Sequence, residues 1–334
     1  MSHLTTMLAA AAFLTSTANA ANTTATAEEL IGKQTPAFTS DRLTPEALWA
    51  MGRIGEVGIA PKGNTIAYGV TYYSVKQNKS CTRLHTLDLA TGASRCLTEG
   101  KNSERSAAFI DGGRKIAFLS SASGSSQLWV MNDGTERRQI SHTDSDLAGF
   151  LFSPDEKKVI LVMEVPMNHS IEKKEEDLPL STGMVINDLM YKHWDTYVTS
   201  VPHPFLADFD GQSVTVKGDL LKDEPFECPM MPFGGMEQLA WSPDSKTIAY
   251  TCRKKVGKAY AISTDSDIFL HDVETGKVRN ICKPEGFETL EPEHADVSLR
   301  EQTPNRKGDA DLHAGYDQNP QFSPDGKFVA WLSM

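Results

Sequence analysis

The chain has 334 residues, 40% apolar and 23% charged, which excludes a disordered tail, a collagen-like rod and a polytopic membrane protein. It carries 33 Lys and Arg against 44 Asp and Glu, a net charge of −11. A surface built to neutralise phosphates needs the opposite sign, so nucleic acid is not the expected partner.

Met7 to Leu14 form an apolar run too short to cross a bilayer, which needs about 20 residues. Ala18-Asn19-Ala20 follows with the small residues of a cleavage site, so residues 1–20 read as a secretory signal peptide. The expected location is periplasmic or secreted, with no membrane span after cleavage. Residues 21–53 lead from the signal to the first repeat.

Five cysteines, Cys81, Cys96, Cys228, Cys252 and Cys282, are odd in number and include no C-x-x-C, which argues against a zinc ribbon or a thioredoxin-like centre. Cys81 with Cys96, and Cys252 with Cys282, flank hairpin-like stretches. Either pair could close a disulfide in an oxidising compartment, with lone buried thiols as the alternative.

The strongest signal is self-similarity. Five segments starting at Ile59, Phe109, Phe152, Trp241 and Phe322 share a turn and a following apolar triplet, as in Trp241-Ser-Pro-Asp-Ser-Lys-Thr-Ile-Ala-Tyr250. Pro presets the first central turn position, Asp or Asn suits the turn, Gly suits its end, and the triplet reads as a buried strand. A second hairpin follows, carrying turns such as Asp88-Leu-Ala-Thr-Gly92 and Asp272-Val-Glu-Thr-Gly276. Two hairpins make four antiparallel strands, and a unit of about 40–50 residues is the size of a propeller blade. The predicted fold is all-β: an incomplete β-propeller of four-stranded antiparallel blades with WD-like or TolB-like repeats.

The starts are 50, 43, 89 and 81 residues apart, and the two long spacings read as insertions. Blades are expected near 54–98, 104–141, 148–220 and 237–282, with a fifth beginning near Asn319. The first insertion, 163–201, holds the charged run Glu172–Asp177, read as a solvated loop, and Asn187-Asp-Leu-Met-Tyr-Lys-His-Trp-Asp-Thr-Tyr197. The second, 284–312, carries eight acidic and three basic residues and reads as an exposed loop. A propeller closes only when its last blade meets its first. Four blades and the start of a fifth within 54–334 therefore predict a piece of a longer protein.

No G-x-S-x-G elbow is present: Leu128 stands where Gly should follow Gly124-x-Ser126, and Thr215 where Gly should follow Gly211-x-Ser213. There is no P-loop, no H-E-x-x-H and no dinucleotide fingerprint, so no catalytic residue, metal site or cofactor is assigned. Asp144-Ser-Asp146 and Asp265-Ser-Asp267 resemble calcium ligands only in isolation and are read as turn and capping residues.

The repeats resemble those of periplasmic TolB-type proteins and of the N-terminal domains of the prolyl oligopeptidase family. Longer stretches, among them Leu43-Thr-Pro-Glu-Ala-Leu48, Leu128–Ile140, Asn187–Asp195, Val201-Pro-His-Pro-Phe205, Glu224-Pro-Phe-Glu-Cys-Pro229 and Ser263–Ile268, are similar to the bacterial type-five dipeptidyl peptidases. That resemblance implies a C-terminal α/β-hydrolase domain carrying Ser, Asp and His, which would lie beyond Met334. It also implies a propeller that restricts access and helps bind a peptide's free amine. A carboxylate suits that task, because a buried ammonium needs an opposite charge. Related type-four enzymes use paired Glu residues, and Trp194-Asp195-Thr196-Tyr197 lacks such a pair. The candidate substrate-binding residues are His193, Trp194, Asp195 and Tyr197, with Glu224, Glu227 and Arg253 behind them. The expected partners are a peptide substrate and the hydrolase domain. The alternative is a stand-alone TolB-like propeller that binds protein or glycan in the cell envelope.

Overall fold

The repeated hairpins become antiparallel sheets in meander order. The computed structural model describes residues 30–36, 40–132, 136–167, 180, 189, 192–194, 197–283 and 315–334. The signal-peptide region 1–20, the segment 284–312, the charged run Glu172–Asp177, the turn Asp133–Thr135 and Asp195 lie outside the described residues.

A short helix, α1 (Pro45–Ala50), precedes the sheets; Thr44 Oγ1 caps it by accepting from Ala47 N–H at 3.2 Å. The first sheet holds β1 (Arg53–Ile59), β2 (Thr65–Ser74), β3 (Lys79–Asp88) and β4 (Ser94–Cys96). The second holds β5 (Glu104–Ile110), β6 (Lys115–Ser120), β7 (Gln127–Asn132) and β8 (Glu136–Gln139). The third holds β9 (Leu147–Phe152), β10 (Lys158–Pro166), β11 (Ser200–Phe209) and β12 (Val214–Asp219). The fourth holds β13 (Leu239–Trp241), β14 (Thr247–Cys252), β15 (Asp267–Asp272) and β16 (Val278–Asn280). A fifth hairpin pairs β17 (Gln318–Phe322) with β18 (Val329–Leu332). Among the described residues no sheet joins this hairpin to β1, so the array of blades is open. The fold is the all-β, open propeller that the repeats predict.

One boundary differs from the repeat-based reading. β10 runs on to Pro166 and β11 begins at Ser200, with Met163 paired to His203. The interruption in the third sheet is therefore 167–199 rather than 163–201.

The Ser-Pro-Asp turns close themselves. Ser153 Oγ donates to Asp155 Oδ1 at 2.7 Å and accepts from Lys158 N–H at 3.0 Å. Ser242 and Ser323 repeat this with Asp244 and Asp325 at 2.6 and 2.7 Å. The residue after Asp takes the left-handed conformation, φ 55° at Glu156, 62° at Ser245 and 70° at Gly326, and the backbone closes as Ser153 N–H donates to Lys158 O at 2.9 Å. This residue also touches the preceding blade. Asp111 N–H donates to both Glu156 oxygens at 2.9 and 2.8 Å, and Asp155 N–H donates to Ser245 Oγ at 3.1 Å. At Gly113 (φ +88°) an added Cβ would come within 3.2 Å of Pro61 Cδ, so the turns of neighbouring blades stack in sequence.

The central strands read as unbroken apolar runs because both faces are covered. On β10, Val159, Leu161 and Met163 pack toward the second blade, with Leu119, Leu128 and Ile110. Ile160 and Val162 of the same strand pack toward the fourth, with Trp241, Ile248 and Tyr250. The core is thus a series of inter-blade layers set by the two-residue period of each strand.

All five cysteines are free. Cys96 pairs across the ladder with His85, while Cys81 sits four residues along β3, opposite Tyr72. Cys252 lies opposite Asp267, and Cys282 Sγ accepts from Ile268 N–H at 3.3 Å. Neither pair suggested by sequence spacing is bonded: register separates Cys81 from Cys96, and β15 lies between Cys252 and Cys282.

Candidate functional site at the loop end of the blades

In an antiparallel meander the links joining strands one to two and three to four fall at one end of the sheet. The links joining two to three, and one blade to the next, fall at the other. The Ser-Pro-Asp and Asp-x-x-Thr-Gly turns occupy the first end. The second end gathers the long connections: 167–199 within the third blade, 220–238 between the third and fourth, and 253–266 within the fourth. Every described residue nominated from sequence lies on one of these three connections.

Glu227 organises this end. It is only 1% exposed, and its carboxylate faces three side chains. His193 Nε2 is 2.6 Å from Oε2, the Tyr260 hydroxyl donates to Oε1, and Lys192 Nζ is 3.8 Å from Oε2. Burial pushes the Glu227 pKa up, but the His193 hydrogen bond, the Lys192 charge and the Tyr260 hydroxyl outweigh it and hold the carboxyl below its ordinary range. Tyr260 lies on α2 (Gly257–Ile262) and moves the other way: burial and the adjacent Glu227 push its hydroxyl far up, so it remains a donor. Arg253 places its guanidinium 3.7 Å from the centre of the Tyr260 ring, and Lys192 Nζ is 4.5 Å from the same ring. Arg253 Nη1 reaches Ser263 O at 3.4 Å, while Nε is buried without a partner.

Two nominated residues lie outside this buried hub. Glu224 pairs with Lys254 at 2.6 Å, both partly buried. Trp194 is 75% exposed at φ 57°, and meets Phe233, itself 78% exposed, edge to face at 5.7 Å. Tyr197 is half-buried just before β11. The structure therefore brings His193, Glu227 and Arg253 together around Tyr260 and sets Trp194 and Glu224 apart from them. The run Arg253-Lys254-Lys255 is held by Tyr260, Glu224 and Asp265, the last at 2.9 Å from Lys255. Asp265 and Asp267 also bind Lys283 Nζ, at 3.0 and 2.7 Å.

Sequence reasoning missed Lys192, Tyr260 and Phe233. The available signal was length: the link from Cys252 to Asp267 is longer than the corresponding links of the first two blades, and Tyr260 sits in the middle of it.

Glu227 is one of the second-choice candidates for substrate binding. Both of its oxygens meet side chains of the protein, which ties the third-blade insertion to the fourth blade. Two accessible features of this end are the Trp194–Phe233 aromatic edge and the partly exposed Glu224–Lys254 pair.

Together the blades and this furnished end define a β-propeller of WD- and TolB-like repeats. By sequence the chain matches the N-terminal portion of bacterial dipeptidyl-peptidase 5 proteins. It is 40% identical over 297 residues to dipeptidyl-peptidase 5 of Porphyromonas gingivalis, covering 89% of this chain and 39% of that protein. It is 36% identical over 296 residues to dipeptidyl-peptidase 5 of Porphyromonas endodontalis, covering 88% of this chain and 39% of that protein. The chain thus spans about two fifths of the length of these curated relatives. Among solved structures, TolB from Acinetobacter baumannii superposes with a TM-score of 0.43 at 18% identity, over 83% of this chain and 48% of that one. No protein-family model matches the chain. No Ser-His-Asp triad is evident among the described residues. No described helix is long and apolar enough to cross a membrane.

Proposed function

We propose that the chain acts as the propeller part of an exported serine exopeptidase that releases dipeptides from peptide N-termini. In this reading the nucleophile and its base belong to a separate hydrolase domain of the parent protein. The propeller limits access to folded proteins and presents the peptide's first residues to that domain. The observation that carries the reading is the match along 89% of the chain to dipeptidyl-peptidase 5. Trp194, Asp195, Tyr197 and Glu224 face the substrate; His193, Glu227 and Arg253 hold the surface on which they sit. Ala18-Asn19-Ala20 and the apolar run before it support export to the periplasm or beyond.

The test uses the product of the complete gene. A chromogenic dipeptide with a free amine should be cleaved, and the same compound with an acetylated amine should not. Asp195→Ala should raise KM with little change in kcat if it meets the ammonium, while Glu227→Ala should lower kcat/KM by displacing the whole end. Equal cleavage of free and blocked substrates would remove the exopeptidase reading. Absence of any hydrolysis, with retained binding of envelope proteins or glycans, would favour a propeller that only binds.

A further inference from the structure

Among the described residues one group of three metal-capable side chains brings its donor atoms together: Asp267, Cys282 and Asp317, one atom from each within 4.8 Å of the others. The group joins the fourth blade to the fifth hairpin. Asp267 opens β15, Cys282 follows β16, and Asp317 precedes β17. The backbone fixes the joint: Ser266 N–H donates to Gly315 O at 3.0 Å, Asp317 N–H to Ser266 O at 3.2 Å, and Ser266 Oγ to Asp317 O at 2.8 Å.

Surrounding groups orient each donor. Trp331 Nε1 donates to Asp317 Oδ1 at 3.1 Å, and Asn280 Nδ2 and Lys283 Nζ donate to Asp267 Oδ2 at 2.9 and 2.7 Å. Asp267 Oδ1 is left over. It belongs to a residue only 8% exposed and, among the described residues, is buried with no hydrogen-bond partner, as is Oδ1 of the neighbouring Asp265. Such an orphaned acceptor carries a cost that a cation would remove. Charge leads to the same conclusion. Asp265, Asp267 and Asp317 bring three negative charges, and Lys255 and Lys283 offset two of them. A divalent ion that displaces the Cys282 thiol proton brings the set to neutrality. Cys282 is half-buried.

We propose that Asp267, Cys282 and Asp317 form a thiolate–dicarboxylate site for a zinc-class divalent ion that staples the fourth blade to the fifth hairpin. Two hard oxygens and one soft sulfur suit zinc better than calcium or magnesium. Zinc–sulfur and zinc–oxygen bonds of about 2.3 and 2.0 Å set tetrahedral donor separations near 3.5 Å, so the widest pair closes by little more than an ångström. Water fills the fourth position. On binding, the Cys282 S–H bond breaks, an S–Zn bond forms and the proton leaves to solvent, with no change of oxidation state.

The test uses the full chain without a tag, stripped with a chelator and dialysed. Titration with zinc chloride should give one ion per chain, and cobalt(II) in its place should produce the near-ultraviolet thiolate-to-metal band. Cys282→Ser and Asp317→Asn should abolish both signals, while Cys96→Ser, at an exposed thiol elsewhere, should preserve them. Trp331→Phe, which frees a coordinating carboxylate from its orienting bond, should weaken zinc about 10- to 100-fold. The wild-type cobalt spectrum tests the site even if a variant fails to fold. Failure to retain zinc, absence of the thiolate band, or zinc binding undiminished by Cys282→Ser in a folded variant would each overturn the proposal.

Discussion

The two ends of each blade are built by different kinds of interaction. At the turn end each turn closes itself within a few residues and then touches its neighbour. Ser242 bonds Asp244 and the N–H of Thr247, and Asp272 Oδ1 accepts from Glu274 N–H, Thr275 N–H and the Thr275 hydroxyl at 3.1, 2.7 and 2.7 Å. At the loop end the deciding contacts span 34 residues between His193 and Glu227 and 33 between Tyr260 and Glu227. The turn end repeats one self-closing motif from blade to blade. The loop end has a buried hub in which one side chain, Glu227, holds three connections.

Three substitutions probe that difference, in falling order of effect. Glu227→Ala leaves His193, Lys192 and Tyr260 facing a hole, and removing one partner of a buried ionic cluster costs about 3–5 kcal/mol. Chemical denaturation of the chain should register that loss, together with exposure of Tyr260. Tyr260→Phe removes one donor and keeps the ring under Arg253, so a smaller loss of about 1–3 kcal/mol is expected. Ser242→Ala removes only the turn-closing bonds of one hydroxyl and should cost about 1 kcal/mol. If Ser242→Ala were as damaging as Glu227→Ala, the separation between a modular end and a shared end would collapse.

The same separation explains what could be read in advance. The blades were legible because Ser-Pro-Asp and Asp-x-x-Thr-Gly encode their turns within a few residues, and because the two-residue period of Val159–Met163 encodes two covered faces. The hub was not legible. Glu227 stands between Phe226 and Cys228 with nothing local to show that it is buried, and Tyr260 lies on a six-residue helix with no repeated counterpart. His193 and Glu227 could be nominated singly, by resemblance, but the sequence does not reveal that they bond each other. The cysteine pairs misled for a related reason. Spacing suggests a hairpin, while ladder register decides which residues meet, and that register places Cys96 opposite His85.

Acid should separate the ends by sign. At the turn end Asp244 is held below its ordinary pKa by the Ser242 hydroxyl and the Lys246 N–H, and Asp272 by the Thr275 N–H and hydroxyl. A lowered folded-state pKa gives stability that is present above the unfolded value, near 3.8, and is lost as pH falls through the folded value. Glu104, at the loop-end start of β5, behaves oppositely. Burial raises its pKa despite Arg137 at 3.1 Å, and Oε2 lacks a partner. The folded chain therefore binds the Glu104 proton more readily than the unfolded chain, and this residue's contribution to stability rises as pH falls from neutrality toward 4.5. Denaturation midpoints of wild type, Asp244→Asn and Glu104→Gln between pH 7 and 3 test both signs. The wild-type advantage over Asp244→Asn should shrink only below about pH 4, whereas wild type should gain on Glu104→Gln at higher pH, before any turn aspartate titrates. Parallel curves for all three proteins would mean that the two ends do not differ in how they hold their carboxylates.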